Sequence, residues 1–265
     1  MTNPLLARVK LPGRIFQLPS KGVFYGPDVL SETVKNAEIE VRPMSALAEM
    51  KFRSPDMLFT GRALREICLE CAPEILRPEK LVSKDVDAIF CFLRIATYGA
   101  ILTVKSVHDC PKRQAHDYAV DIEQIIMNAN NKILENPSAL YNFVLSNGQK
   151  IILRPVIYQD AINMIHLKQE IQSEMDKDDF DSKLLEKAVT QDLMAVIASV
   201  DDVTDPKMIE EWVKMLPRKF FTEIVRFTRS TEDWGFNLTV KLKCKDCEAE
   251  YPHNLELNPI NFFSG

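Results

Sequence analysis

Apolar residues return every three or four positions between Gly61 and Cys71 (Ala63, Leu64, Ile67, Cys68), and again between Asp85 and Tyr98 (Ile89, Phe92, Leu93, Ala96). That spacing puts each set on one face of a 3.6-residue helix, so two helices packed on a common core are predicted, the second ended by Gly99. The period then changes to two. ILTVKSV and YAVDI read as paired strands around the turn HDCPKRQAHD, followed by a short helix from Glu123 to Ala129. YNFVLS and KIILRP form a second hairpin, because Asn147-Gly148 is a strong signal for a two-residue turn.

From 156 to 231 the pattern is almost wholly helical, in segments separated by DKDDFD, by VDDVTDP and by Pro217. Asp205 before Pro206 supplies an N-cap and a favoured first helical residue. The last part returns to alternation: Phe236, Leu238, Val240 and Leu242 on one strand, and Tyr251, His253, Leu255 and Leu257 on the other. Strands interleaved with helical blocks, without a regular βαβ rhythm, predict an α+β fold with two or three β-hairpins. Four regions follow: an N-terminal arm and strand (1–56), helices with two hairpins (57–155), a helical region (156–231) and a C-terminal CxxC hairpin (232–265). The arm is rich in turn signals (Pro12-Gly13, Pro19-Ser20-Lys21-Gly22, Gly26-Pro27) before the alternating AEIEVR, and it is expected to lie on another surface, of its own body or of a partner. Phe16 to Tyr25 and Asn261-Phe262-Phe263 carry aromatics near the termini and are expected to be contact segments.

A chain of 265 residues with 46% hydrophobic content can bury a substantial core. With 33 Lys and Arg against 38 Asp and Glu, the net charge of −5 provides no footprint for a phosphate backbone, so no nucleic-acid partner is expected. AIFCFLRIATYGAILTVKSV is interrupted by Arg94 and Lys105, and MTNPLLARVKLPG has no apolar core of a leader, so neither a membrane span nor secretion is expected. In a reducing compartment Cys68, Cys71 and Cys91 read as small buried side chains, and the Asn237-Leu238-Thr239 sequon has no role.

KLKCKDCEAEYPHNLELN is written like half of a zinc knuckle: Cys244 and Cys247 stand in a turn between two alternating strands. An internal echo suggests the other half. LTVK at 102–105 precedes Cys110 and Tyr118, and LTVK at 238–241 precedes Cys244 and Tyr251. Where a second cysteine would stand, the first turn has Arg113, with His108 and His116 nearby as substitutes. Two readings stay open: a structural zinc held by Cys244, Cys247, Cys110 and a histidine, expected to be His116, or a reduced turn that only resembles a knuckle. His253, on the apolar face of its strand, reads as a satisfied core histidine.

No catalytic signature accompanies this turn. Among GxxxxGK[ST], GxGxxG, HExxH and GxSxG none occurs, and the eight glycines fall at turns. The run Asp176-Lys177-Asp178-Asp179-Phe180-Asp181 departs from a calcium loop at Phe180, Asp181 and Lys187 and reads as a solvated joint. The acids Asp85, Asp87, Asp201 and Asp202 sit where helix caps and loops are expected. No active site is predicted and the chain is read as a non-enzyme; the rival is a zinc-ribbon-bearing enzyme or adaptor using Cys244 and Cys247.

Several phrases taken in order, FQLPSKGVFYGPD, IEVRPMSALAEMKF, DAIFCFLRIATYG, LSNGQKIILRPVIYQDA and the CxxC hairpin ending NPINFF, resemble the T4-type baseplate hub and hub-assembly proteins of contractile-tailed bacteriophages. The resemblance runs from about Phe16 to Phe263. It implies a structural or chaperone-like role in assembling the central hub of the tail baseplate, other hub or tail proteins as partners, and a place in the host cytoplasm during assembly or in the virion tail. It also implies a paired-cysteine turn after the first long strand, from which Arg113 departs.

Overall fold

The computed structural model describes residues 11–129, 141–175, 183–231, 234–257 and 262–263. The acidic joint at 176–181 and Asn261 lie outside the described residues. Among those described, helices alternate with four small antiparallel sheets, and the fold is α+β.

The chain opens with β1 (Arg14–Gln17) paired antiparallel to β2 (Glu38–Val41), with Phe16 opposite Ile39. Three helices follow: α1 (Ala46–Phe52), α2 (Pro55–Phe59) and α3 (Arg62–Cys71). Ser45 starts α1 because its hydroxyl accepts the Ala48 N–H, which the first helical turn would otherwise leave without a partner. After a single 3₁₀ turn (Pro78–Lys80), α4 (Ser83–Tyr98) buries Val86, Ile89, Phe92, Leu93 and Ile95 along one side. That stripe and the α3 stripe Ala63, Leu64, Ile67, Cys68 meet in the larger of two cores, as their spacing predicts.

Next come β3 (Ile101–Val107) and β4 (Ala115–Asp121), paired over seven residues, and α5 (Ile122–Met127), capped by the Asp121 carboxylate. The second hairpin is β5 (Asn142–Val144) and β6 (Lys150–Leu153), turned at Gly148 with φ 90, a conformation that glycine adopts without steric cost. α6 (Tyr158–Met175) and α7 (Lys183–Val196) then lead into β7 (Ile197–Val200), which pairs with β6. This strand interrupts the stretch 156–231, for which an almost wholly helical pattern was expected. Its four residues carry no strand signal apart from β-branched Ile197 and Val200, and the open edge of β6 supplies hydrogen bonds that helix propensity cannot outweigh.

α8 (Pro206–Lys214) begins where expected, with Asp205 accepting the Lys207 and Met208 N–H groups, and α9 (Arg218–Ser230) follows Pro217. The second core is built by Tyr141, Leu145, Ile151, Leu153, Val196, Ile197, Ile209, Val213 and Ile224. The last hairpin, β8 (Thr239–Lys243) with β9 (Glu250–Asn254), returns to the first core, to which it contributes Leu242 and Leu255.

The N-terminal segment is not a free arm. Phe16 stacks on Phe92 with ring centroids 4.4 Å apart, and Leu18 is fully buried. Ser20 and Tyr25 close on the buried carboxylate of Asp85: the Ser20 N–H donates to Oδ1 at 2.9 Å, and the Ser20 and Tyr25 hydroxyls both donate to Oδ2. Asp85 therefore ties the segment down and does not cap α4, whose N-cap is Val82. Burial pushes its carboxyl up to about 6 against the pull of the Ser20 and Tyr25 donors. Phe262 and Phe263 also pack inward, Phe263 edge-on to Phe52 at 5.1 Å. These aromatics were expected to serve as contact segments; Phe16 packs partly buried against the chain's own core, and Phe262 and Phe263 fill it, each of these two contributing about 1.5–3 kcal/mol by its burial.

Candidate metal centre

Hairpins β3–β4 and β8–β9 belong to separate sheets, yet they lie side by side with their turns together. Each turn is shaped locally. Beyond the last ladder pair, Val107 opposite Ala115, the Cys110 N–H donates to the His108 carbonyl at 2.9 Å. The Arg113 N–H then donates to the Cys110 carbonyl at 3.0 Å, closing a tight turn over Pro111. In the other hairpin the Cys244 N–H donates to the Ala249 carbonyl at 2.9 Å and the Glu248 N–H to the Cys244 carbonyl at 3.0 Å. Arg113 (φ 44) and Glu248 (φ 61) both hold left-handed backbone, which costs a residue with a Cβ about 1 kcal/mol or more and persists only where surrounding structure imposes it.

One ligand atom from each of His108, Cys110, Cys244 and Cys247 falls within 4.8 Å of the others. His108 Nδ1 stands 3.3 Å from Cys247 Sγ, and the Asp246 N–H points at Cys244 Sγ from 3.4 Å. Backbone N–H groups of Cys247 and Asp246, with the Cys247 thiol and His108 beside them, draw the Cys244 thiol down to about 6. Cys247 moves the other way: although the Ala249 N–H favours its thiolate, desolvation and the adjacent Cys244 raise it. The two thiols thus shift in opposite directions within one nest of donors.

Of the residues singled out in the sequence, Cys110, Cys244 and Cys247 come together; His116 does not join them. It lies on β4 opposite Ser106, one step back from the turn, and its Nε2 is 2.7 Å from Asp246 Oδ2. The imidazole in the cluster is His108, the first residue beyond β3. The signal that favours it was present: a single residue, Asp109, separates it from Cys110 on the same turn. His253 Nδ1 lies 3.0 Å from Ser106 Oγ, which satisfies it within the inter-hairpin contact.

Further contacts hold the hairpins in this register. Lys245 Nζ donates to the Asp117 carbonyl at 2.8 Å, His108 stacks on Tyr251 at 4.6 Å, and Tyr118 meets Tyr251 edge-on at 6.4 Å. The sequence echo is looser than its wording: in the first hairpin Val104 of LTVK faces Tyr118, whereas in the second it is Leu242, beyond LTVK, that faces Tyr251. Cys68, Cys71 and Cys91 lie far from this chemistry in function, buried among α3 and α4, where burial raises all three thiols, Cys71 to about 12.

Three thiols and one imidazole form a donor set suited to a borderline-soft cation with tetrahedral preference, as zinc is. Four protein donors leave no open position for a substrate, so the arrangement has the chemistry of a structural centre rather than a catalytic one.

No curated protein and no solved structure matches the chain. A family model described as T4 bacteriophage base plate protein matches residues 28–264, nearly the whole chain and both cysteine turns. The α+β body, its two cores and the paired hairpins are therefore those of a member of the T4 bacteriophage base plate protein family.

Proposed function

We propose that this baseplate protein acts, without catalysis, as a structural or chaperone-like factor in assembling the central hub of the tail baseplate. The observation that carries this reading is the family match over residues 28–264, which makes other baseplate proteins its partners. Within that family the hub is the specific destination suggested by the ordered phrases from FQLPSKGVFYGPD to NPINFF.

The use of the ionisable groups supports the non-enzymatic part. Buried Asp85 spends its carboxylate on Ser20 and Tyr25, which fasten the N-terminal segment. A cavity of about 600 Å³ between α7 and α8 is lined by Lys183, Glu186, Lys187, Glu210 and Lys214, and Glu210 pairs with Lys214 at 2.6 Å. Such Glu–Lys pairs one helical turn apart are ordinary surface stabilisers worth a few tenths of a kcal/mol. The proposed place of work is the host cytoplasm while the tail is built and the virion tail thereafter, in keeping with the family match; separately, among the described residues no helix is long and apolar enough to cross a membrane.

Co-expression with the neighbouring tail proteins of its own genome, followed by size exclusion and pull-down, tests the role. A stable complex with a hub protein, and loss of baseplates when the gene is deleted, are expected. Interface energy is spread over several anchors, whereas catalysis collapses when one positioned group is lost. A folded, soluble single substitution at a polar residue that lowers infectious particles by several orders of magnitude would therefore overturn the reading.

A further inference from the structure

We propose that His108, Cys110, Cys244 and Cys247 bind one Zn²⁺ as a closed structural site that staples hairpin β3–β4 to hairpin β8–β9. The inference is independent of the hub role, since a metal staple serves any function of the fold.

The geometry is close to what the ion demands. Zinc–sulfur bonds of about 2.3 Å in a tetrahedron put neighbouring donors about 3.7 Å apart. The four donors here already lie within 4.8 Å of one another, so side-chain movements of about 1 Å or less close the shell. Three thiols and an imidazole from two separate sheets converge here on one point, the donor arrangement that a shared tetrahedral cation uses.

The surroundings point the same way. The Asp246 N–H aimed at Cys244 Sγ stabilises a coordinated thiolate. Asp246 also accepts from His116 and lies 3.9 Å from Lys112 Nζ, so the second turn is braced against the first by groups just outside the four donors. Left-handed Arg113 and Glu248 shape each turn at a local cost, which a bound ion would offset.

A staple is also what these hairpins lack. A two-stranded hairpin is marginal alone. In β8 and β9 only Leu242 is buried, opposite Tyr251 and one pair from the turn, and Leu255 is buried just beyond β9, so little apolar side-chain surface holds this hairpin apart from its stacked rings. A metal joining residues 108 and 110 to 244 and 247 ties its turn to the body. Iron–sulfur chemistry would favour four thiolates, whereas the histidine suits zinc.

The test uses the full chain, expressed with zinc in the medium and purified without chelators. Elemental analysis should find about one zinc per chain, and cobalt exchanged into the site should give the visible spectrum of tetrahedral thiolate coordination. Removing zinc with a strong chelator should lower Tm and open Cys110, Cys244 and Cys247 to thiol reagents, and zinc added back should reverse both. His108→Ala and Cys247→Ser should lower occupancy at least about tenfold and by more than His116→Ala, which removes a brace on Asp246 and no donor. Should the cysteine variants fail to fold, the chelator experiment on the native chain decides. The proposal is overturned by native protein with less than about 0.1 zinc per chain and free thiols. It is equally overturned by a Cys244–Cys247 disulfide in freshly purified material, or by His116→Ala losing the metal that His108→Ala keeps.

Discussion

Replacing Asp85 by Ala removes the acceptor on which the N-terminal segment is hung. The carboxylate is fully buried and receives the Ser20 N–H, the Ser20 hydroxyl and the Tyr25 hydroxyl, and Tyr25 Oη in turn accepts the Val82 N–H at 3.1 Å. Three buried donors left without a partner cost about 2 kcal/mol each, about 6 kcal/mol together. Against this stands the cost of burying the charge: a carboxyl raised from the usual range to about 6 is worth about 3 kcal/mol at neutral pH. The net loss is about 3 kcal/mol at pH 7.5. The pH dependence has a definite sign. The native state holds the Asp85 proton more tightly than the unfolded chain, so this group stabilises most below about pH 4 and loses that contribution as pH rises to about 6. The penalty of Asp85→Ala therefore grows as pH falls, toward about 6 kcal/mol near pH 4. Asp87, which burial also raises to about 6, remains in both proteins and cancels in the difference. Urea unfolding followed by tryptophan fluorescence is the assay, since Trp234 lies 5.5 Å from Phe24 beside the anchored segment. A loss below about 1 kcal/mol at pH 7.5, or a difference that shrinks as pH falls, would refute the anchoring role.

Phe263→Ala should cost about 3–4 kcal/mol in the same assay, because its ring is fully buried against Phe52; a loss below about 1 kcal/mol would place the C-terminal aromatics outside the core. Gly61→Ala should destabilise by about 1–2 kcal/mol: its φ is 72, and an added Cβ would stand 3.1 Å from Ile162 Cγ1, so an unchanged midpoint would contradict that backbone. Cys68, Cys71 and Cys91 should react with a maleimide only as fast as the chain unfolds globally, read by mass spectrometry; modification of Cys68 in the folded protein would show that α3 opens locally.

Local patterns were enough to identify α3, α4, both long hairpins, the turn at Gly148 and the Asp205 cap, because periodicity and capping are set by neighbours in the chain. They also showed that Cys244 and Cys247 form half a knuckle. What local pattern could not decide was every choice made between distant segments. Ile197–Val200 became a strand because β6 offered an edge, and Phe16 and Phe263 packed inward because α4 and α1 offered apolar surface. Asp85 became an anchor because Ser20 and Tyr25, sixty or more residues earlier, brought donors to it. The fourth member of the cysteine cluster was settled in the same way. Two histidines flank Cys110 in sequence, and only the register that sets His116 opposite Ser106 turns one toward Asp246 and leaves His108 beside Cys247. Periodicity records which face of an element is apolar; which surface that face meets depends on contacts between segments from about fifty to more than two hundred residues apart, and those exist only once the chain has folded.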